Sequence, residues 1–362
     1  MNFSVLLQSL SFLLIAVAGS SPAKEQQERL RLIHADVLRR QDVDERVIQS
    51  LEGNVEFRQG ETSIFCDIAR QFITENKYAL IGHVRMYDVE QTLLADTVVI
   101  YEAERKQVAS GHVVSIADQD TTFADRITYF DAEDKLISEG HVRIVKPDDM
   151  TELTAGVAVY QRNDNYGKVW DSPVWIQFDS LGAEVTRIIA DTLEMFRKEN
   201  RTLASGNVKI TQPTVMATCG EAEFWRDDEK IVLLYDPHVE QTNQRIAGDT
   251  LQLYLEDSRL RKVIVRGEAV AVSDADSLQK GRWENKLTGQ LMVFYFSEQK
   301  LHKVVIENQA TSLYHVIEGE EYKGANEVSG DRIVIEFENG KARKVVVQSD
   351  PDVARGKFLP PN

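Results

Sequence analysis

Ala124-Asp125-Arg126-Ile127-Thr128-Tyr129-Phe130, then Asp131-Ala132-Glu133-Asp134-Lys135, then Gly140-His141-Val142-Arg143-Ile144: this stretch carries the plan of the chain. After Ala124-Asp125, residues of opposite polarity alternate with a period of two. Such alternation, rich in β-branched and aromatic side chains, specifies a strand with one buried face. The charged run that follows holds the Asp-rich chemistry of a tight turn. Gly140 then sits inside the return strand, where a glycine marks a bulge, a corner or a close backbone approach. One unit therefore reads strand, turn, strand, corner, strand.

The unit recurs. Small residues open equivalent runs at Ala35, Cys66, Ala95, Ala124, Ala155, Ala190, Cys219, Gly248, Gly289 and Gly330, spaced by 29 to 41 residues. The third residue after each is apolar: Leu38, Ala69, Val98, Ile127, Ala158, Leu193, Ala222, Leu251, Met292 and Ile333. The corner signature returns at Gly53-Asn54, Gly82-His83, Gly111-His112 and Gly206-Asn207, while Ser172-Pro173 and Asp236-Pro237 stand in its place in two units. A fixed period of this kind means one supersecondary unit stacked on copies of itself, each covering a neighbour's apolar stripe. The expectation is an elongated all-β stack over residues 24–347, with a subdivision at 24–214 and 215–347 and a tail at 348–362. Its two ends should leave unpaired strand edges open to strand addition.

Residues 1–23 carry no charged side chain, and the apolar run Val5 to Val17 ends in Ala16-Val17-Ala18. That pattern reads as a secretory signal peptide, with an uncleaved inner-membrane anchor as the alternative. The run is shorter than the ~20 residues that cross a bilayer. The full chain bears a net charge of −16, which excludes the basic footprint that nucleic acid needs. Cys66 and Cys219 occupy the same repeat position five units apart. They read as two free, small core residues, because stacked units hold them beyond disulfide reach.

Candidate chemistry is sparse. His83, His112 and His141 recur every 29 residues, yet equivalent positions in successive units do not converge on one ion, so they read as corner side chains serving local backbone. The repeated Asp (Asp36, Asp67, Asp96, Asp125, Asp191, Asp249, Asp331) reads as a hydrogen-bond partner of turn backbone, not a Ca²⁺ ladder. Asp118, Asp120, Asp148 and Asp149 are the acids that a glycosidase would use, but they fall in turns where solvated charge is the ordinary state. No nucleophile elbow, zinc helix or phosphate loop is present, and no cofactor or metal is expected. Tyr101, Phe130, Phe196, Trp225, Tyr254 and Tyr295 recur at the sixth position and read as a stacked aromatic ladder. The inner series Val98, Ile100, Ile127, Tyr129, Leu193, Met195, Phe224, Leu251, Leu253 and Phe294 is core, or, if two sheets splay apart, the lining of a long apolar trough suited to acyl chains.

At the A-D-x-φ-x-φ openers and the G-N/H-V-x-φ strands, the chain resembles the OstA-like family from Leu32 to Val347. The resemblance implies an antiparallel β-jellyroll, two facing sheets V-shaped in section, that works in the periplasm in outer-membrane biogenesis. It implies a non-enzymatic carrier that holds the acyl chains of lipopolysaccharide or a related glycolipid in the trough. Its implied partners are other transport-bridge proteins joined by edge-strand addition, and further copies of itself head to tail. The rival readings are an exported structural scaffold with a packed interior and, behind it, a β-helical carbohydrate enzyme. Under the carrier reading, a charge at Ile127 or Leu193 should weaken lipid capture more than a change at Arg197 or Lys198.

Overall fold

The computed structural model describes residues 31–361, apart from 44–45, 89–90, 118, 242, 257–258, 276–281, 299, 319–320, 339–340 and 351–352. The signal-peptide reading and Asp118 lie outside the described residues. The described residues form strands joined by turns, with single 3-10 turns at Ile73–Glu75 and Arg197–Glu199 and no α-helix. No helix among them is long and apolar enough to cross a membrane. The strands pair antiparallel with their sequence neighbours, as in Lys106–Ala117 with Asp120–Phe130 and Asp120–Phe130 with Lys135–Lys146. The architecture is an antiparallel β-jellyroll, in agreement with the fold class read from the sequence.

Two compact units divide the described chain, one of residues 31–182 and 192–198, the other of residues 183–191 and 199–361. In the second, Arg355–Leu359, part of the segment read as a tail, pairs with Glu321–Glu338.

The corner is where the motif acts. Gly111 and His112 both take left-handed backbone, at φ +77° and +46°, and the ladder register slips there. Two left-handed residues in a strand turn its direction sharply, so each long strand splits into two arms. Across the corner stands the Asp of the preceding opener: a Cβ on Gly111 would lie 2.3 Å from Asp96 Oδ2. Glycine is therefore required twice over, by its φ and by the carboxylate beside it. The proline-bearing corner inverts the arrangement. There Asp171 and Ser172 are left-handed, and the opener carries Gly156 in place of Asp, 2.0 Å from Asp171 Oδ2 once a Cβ is added. At both kinds of corner one of the two facing positions is bare, whereas the later corner that sets Gln290 against the left-handed Asn308 and Gln309 has side chains on both.

Both arms bury alternate residues, and the phase slips at the corner. Thr151, Leu153 and Ala155 are buried on one side, Ala158 and Tyr160 on the other. Cys66 and Cys219 are buried free thiols in the small-residue row, opposite Val55 and Val208. Burial pushes both thiols up to about 11. At pH 8 the thiolate fraction is then about one in a thousand. We expect a thiol reagent such as DTNB to leave both cysteines untouched over an hour in the native protein and to titrate two thiols at once in denaturant without reductant. Rapid native labelling of either would contradict this burial.

The sixth-position aromatics do not stack on one another as expected. In the cross-strand row cations flank the rings: Lys77 and Lys106 stand 5.5 and 4.5 Å from the Tyr101 centroid, and Lys230 and Lys262 stand 5.8 and 4.4 Å from that of Tyr254, while Phe196 meets the Tyr166 ring at 5.3 Å. Arg201 lies over Trp225 and Lys303 over Tyr295 in the same way. The return strand begins with Lys or Arg, and antiparallel register sets that residue beside the ring. Each such contact contributes roughly 0.5–1 kcal/mol at an exposed site.

Candidate functional site: an apolar interior between two arms

The third and fifth residues after each small residue point to the same interior. In the first unit, register joins Leu80, Val98, Ala109 and Ile127 in one unbroken row that continues through Ser138, Ala158, Val169 and Leu193. The fifth-residue row runs beside it and holds Ile100, Tyr129 and Met195. In the second unit, Leu251 lies between Leu233 and Val265, and Phe224, Ile231, Leu253, Val263 and Phe294 line the parallel row. All ten residues singled out from the sequence fall in these two rows.

Their accessibility differs. Val98, Ile127, Leu193, Met195, Phe224, Leu251, Leu253 and Phe294 are buried, while Ile100 and Tyr129 are half-exposed. In the fifth-residue row, the half-exposed stretch comprises Tyr78, Ile100, Gln107, Tyr129 and Leu136. From Tyr160 to Met195 the row is buried. The open stretch is amphipathic: Gln71 donates to Tyr78 Oη at 2.9 Å, and the Tyr129 hydroxyl donates to Asp134 Oδ1 at 3.2 Å. Burial, with Asp134 beside it, raises the Tyr129 phenol above its ordinary pKa. A charge at Ile127 or Leu193 would thus damage the core before it touched any ligand.

The corner histidines are exposed and face a carboxylate instead of backbone. Their Nδ1 atoms lie 2.8 Å from Asp67 for His83, 2.9 Å from Asp96 for His112 and 2.8 Å from Asp125 for His141. Asn54 and Asn207 donate to Asp36 and Asp191 in the same way, at 3.1 and 3.0 Å. The repeated Asp therefore serves a corner side chain and not, as expected, a turn. The Asp96 carboxylate, hydrogen-bonded to its ring, raises the His112 pKa. Among the described residues, no group of three or more His, Cys, Asp or Glu side chains converges as a metal site would.

Sequence reading missed a polar patch inside the first unit. Asp120, read as a solvated turn acid, opens the strand Asp120–Phe130 and lies 2.5 Å from the Lys146 ammonium. Lys146 is only 2% exposed, and beside it in the ladder stand Thr151 and then Gln177, also buried. Arg197, read as a turn residue suited to serve as a bland control, is half-buried over the Tyr160 ring at 5.3 Å. Desolvation lowers the Lys146 pKa, against the pull of Asp120, and lowers that of Arg197 as well. A signal was present: Val142, Ile144 and Lys146 share one strand parity, as do Thr151, Leu153 and Ala155, so the polar members had to point inward. The second unit has a cavity of its own, about 620 Å³, of mixed lining, with Gln212, Gln241, Arg245 and Glu284 beside Val215, Met216 and Val272.

Residues 27–164 match the family model described as OstA-like protein. No curated protein matches the chain. Among solved structures, LptH of Pseudomonas aeruginosa, described as the LptA-homologous periplasmic component of the conserved lipopolysaccharide transport device, matches at 16% identity. The match covers 49% of this chain and 95% of LptH, at a TM-score of 0.25, too low for the superposition to carry an argument.

Proposed function

Because residues 27–164 form an OstA-like region, we propose that the chain is an exported, non-catalytic carrier of lipopolysaccharide-type glycolipid in outer-membrane biogenesis. The observation that carries this is the apolar row Leu80, Val98, Ala109 and Ile127 between the two arms, flanked by the half-exposed Ile100 and Tyr129. Acyl chains entering there leave water at roughly 25 cal/mol per Å² of apolar surface, or about 0.8 kcal/mol per methylene. Sugars stay outside. The first edge suits strand addition by a bridge partner or a second copy: Arg31–His34 and Val37–Val43 pair with Arg46–Gln59, and Leu32, Ile33, Val37 and Leu38 are exposed. The working compartment would be the periplasm.

Ile100→Asp should reduce co-purifying acyl lipid, measured by mass spectrometry, at least about tenfold. Lys198→Asp, in an exposed turn, should leave it unchanged. Ile100 is the better probe than Ile127, because its half-exposed site tolerates a charge in the unliganded fold. Equal lipid loads in the two variants would count against the trough. A packed scaffold is the second reading, favoured by the burial of Phe224, Ile231, Leu253 and Phe294 in the second unit. It requires that the wild-type protein carry no lipid. An acid-pair enzyme is not supported, since Asp120 is engaged by Lys146.

A further inference from the structure

The polar patch is out of place in a greasy interior. Along the arm that ends in Asp120, Lys146, Thr151 and Gln177, the next row inward is Thr122, Ile144, Leu153 and Trp175. Thr151 is 2% exposed, Trp175 3% and Gln177 5%. Within the protein, the Thr151 hydroxyl, the Trp175 indole N–H and Arg197 Nη2 have no hydrogen-bond partner, and neither does Gln177 Oε1. A buried donor left unsatisfied is costly, and several together in one place are rare in native interiors. Lys146 offers three donors, of which one meets Asp120. Asp120 acts on the charges of both Lys146 and Arg197, and Arg197 on that of Lys146, so the two cations belong to one electrostatic cluster.

The surplus is of donors. Four groups (an ammonium, a guanidinium N–H, a hydroxyl and an indole N–H) want acceptors, against one unmatched carboxamide oxygen. A carboxylate offers its acceptor sites in one plane, a poor match for donors spread over two rows of the sheet. A tetrahedral phosphate matches their number and charge. Lys146, Thr151 and Arg197 sit at strand ends beside turns, with Trp175 one row further in, where the polar end of a molecule would rest if its chains lay between the arms.

We infer that Lys146, Thr151, Trp175 and Arg197 form a phosphate-binding site at the rim of the first unit's interior, which reads the phosphorylated head of the acyl lipid. The inference rests on the carrier reading for its source of phosphate. The alternative source is free inorganic phosphate.

Calorimetric titration of the delipidated full chain separates them, using three probes: a bisphosphorylated hexa-acyl glucosamine disaccharide, the same lipid without phosphates, and inorganic phosphate. The expected result is at least about tenfold tighter binding of the phosphorylated lipid. Arg197→Gln and Thr151→Val should erase that preference while leaving the affinity for the dephosphorylated lipid within twofold, and Thr151→Ser, which restores a hydroxyl, should retain it. Melting curves of all variants confirm that each is folded. Equal affinity of the wild type for both lipids, or a preference that survives both substitutions, overturns the site and leaves the carrier reading standing. Binding of inorganic phosphate with neither lipid bound, lost in Arg197→Gln, supports the site and overturns the carrier. Binding of none of the three overturns both.

Discussion

Asp120→Ala should destabilise the first unit by about 3–5 kcal/mol, the cost of stranding a buried ammonium without its counter-ion. Lys146 is almost fully enclosed, whereas the Asp120 side chain keeps 18% of its surface in water. Losing the acid is therefore worse than losing the base: Lys146→Met leaves a carboxylate that can turn outward. The double variant Asp120→Ala/Lys146→Met should return to within about 1–2 kcal/mol of wild type, because a packed apolar pair of similar volume replaces a buried ion pair at little net cost. The deficit of Asp120→Ala should also shrink as pH rises through the alkaline range. Burial holds the Lys146 pKa below 10.5, so the unfolded chain binds that proton more tightly than the folded one, and raising the pH towards 10.5 favours the fold. Hydrogen exchange at the backbone amides of 142–146 and 151–155 reads the effect locally, which matters where two units need not unfold as one. A deficit below about 1 kcal/mol, or one indifferent to pH, would mean that Lys146 finds solvent after all.

Gly111→Ala is expected to cost about 2–4 kcal/mol, from two separable sources. The left-handed backbone charges any L side chain roughly 1–2 kcal/mol. The remainder comes from the Asp96 carboxylate, which the new methyl would strike and push off the His112 ring. Gly182 supplies the control. Its φ is +81°, but no atom lies within 4 Å of an added Cβ, so Gly182→Ala should show the backbone share alone. Adding Asp96→Gly to Gly111→Ala should recover the steric share and no more. Thermal or urea unfolding of the four proteins decides it. If Gly111→Ala and Gly182→Ala prove equal, the facing carboxylate imposes nothing.

Much of this was legible in the chain. The alternation after Ala124-Asp125 and its recurrence disclose strands, corners and the inward rows, because a period of two says which face a residue shares. Periodicity does not say what lies across the ladder. That Tyr101 meets Lys77 and Lys106, or that Asp96 meets His112 sixteen residues on, depends on register, which is set by the bulge and by turn length together. The inward parity of Lys146 was visible in Val142-Arg143-Ile144-Val145-Lys146, yet its charge and the following Pro147 invite the reading of a solvated turn. Burial overruled that reading because Asp120 was there to pair with it.

At the glycine-bearing corners, the match of a bare residue to a facing side chain also constrains how such a chain grows or shrinks over evolutionary time. The bare residue and its bulky counterpart belong to neighbouring strands, so neither can be inherited alone. Removing a single strand would reverse the direction of everything downstream and leave side chain against side chain at the joint. Loss or duplication of a complete hairpin, such as residues 91–117 with its turns, keeps each partner matched. Natural variants of differing length should therefore differ by whole hairpins, and a shortened form for laboratory use is best cut the same way.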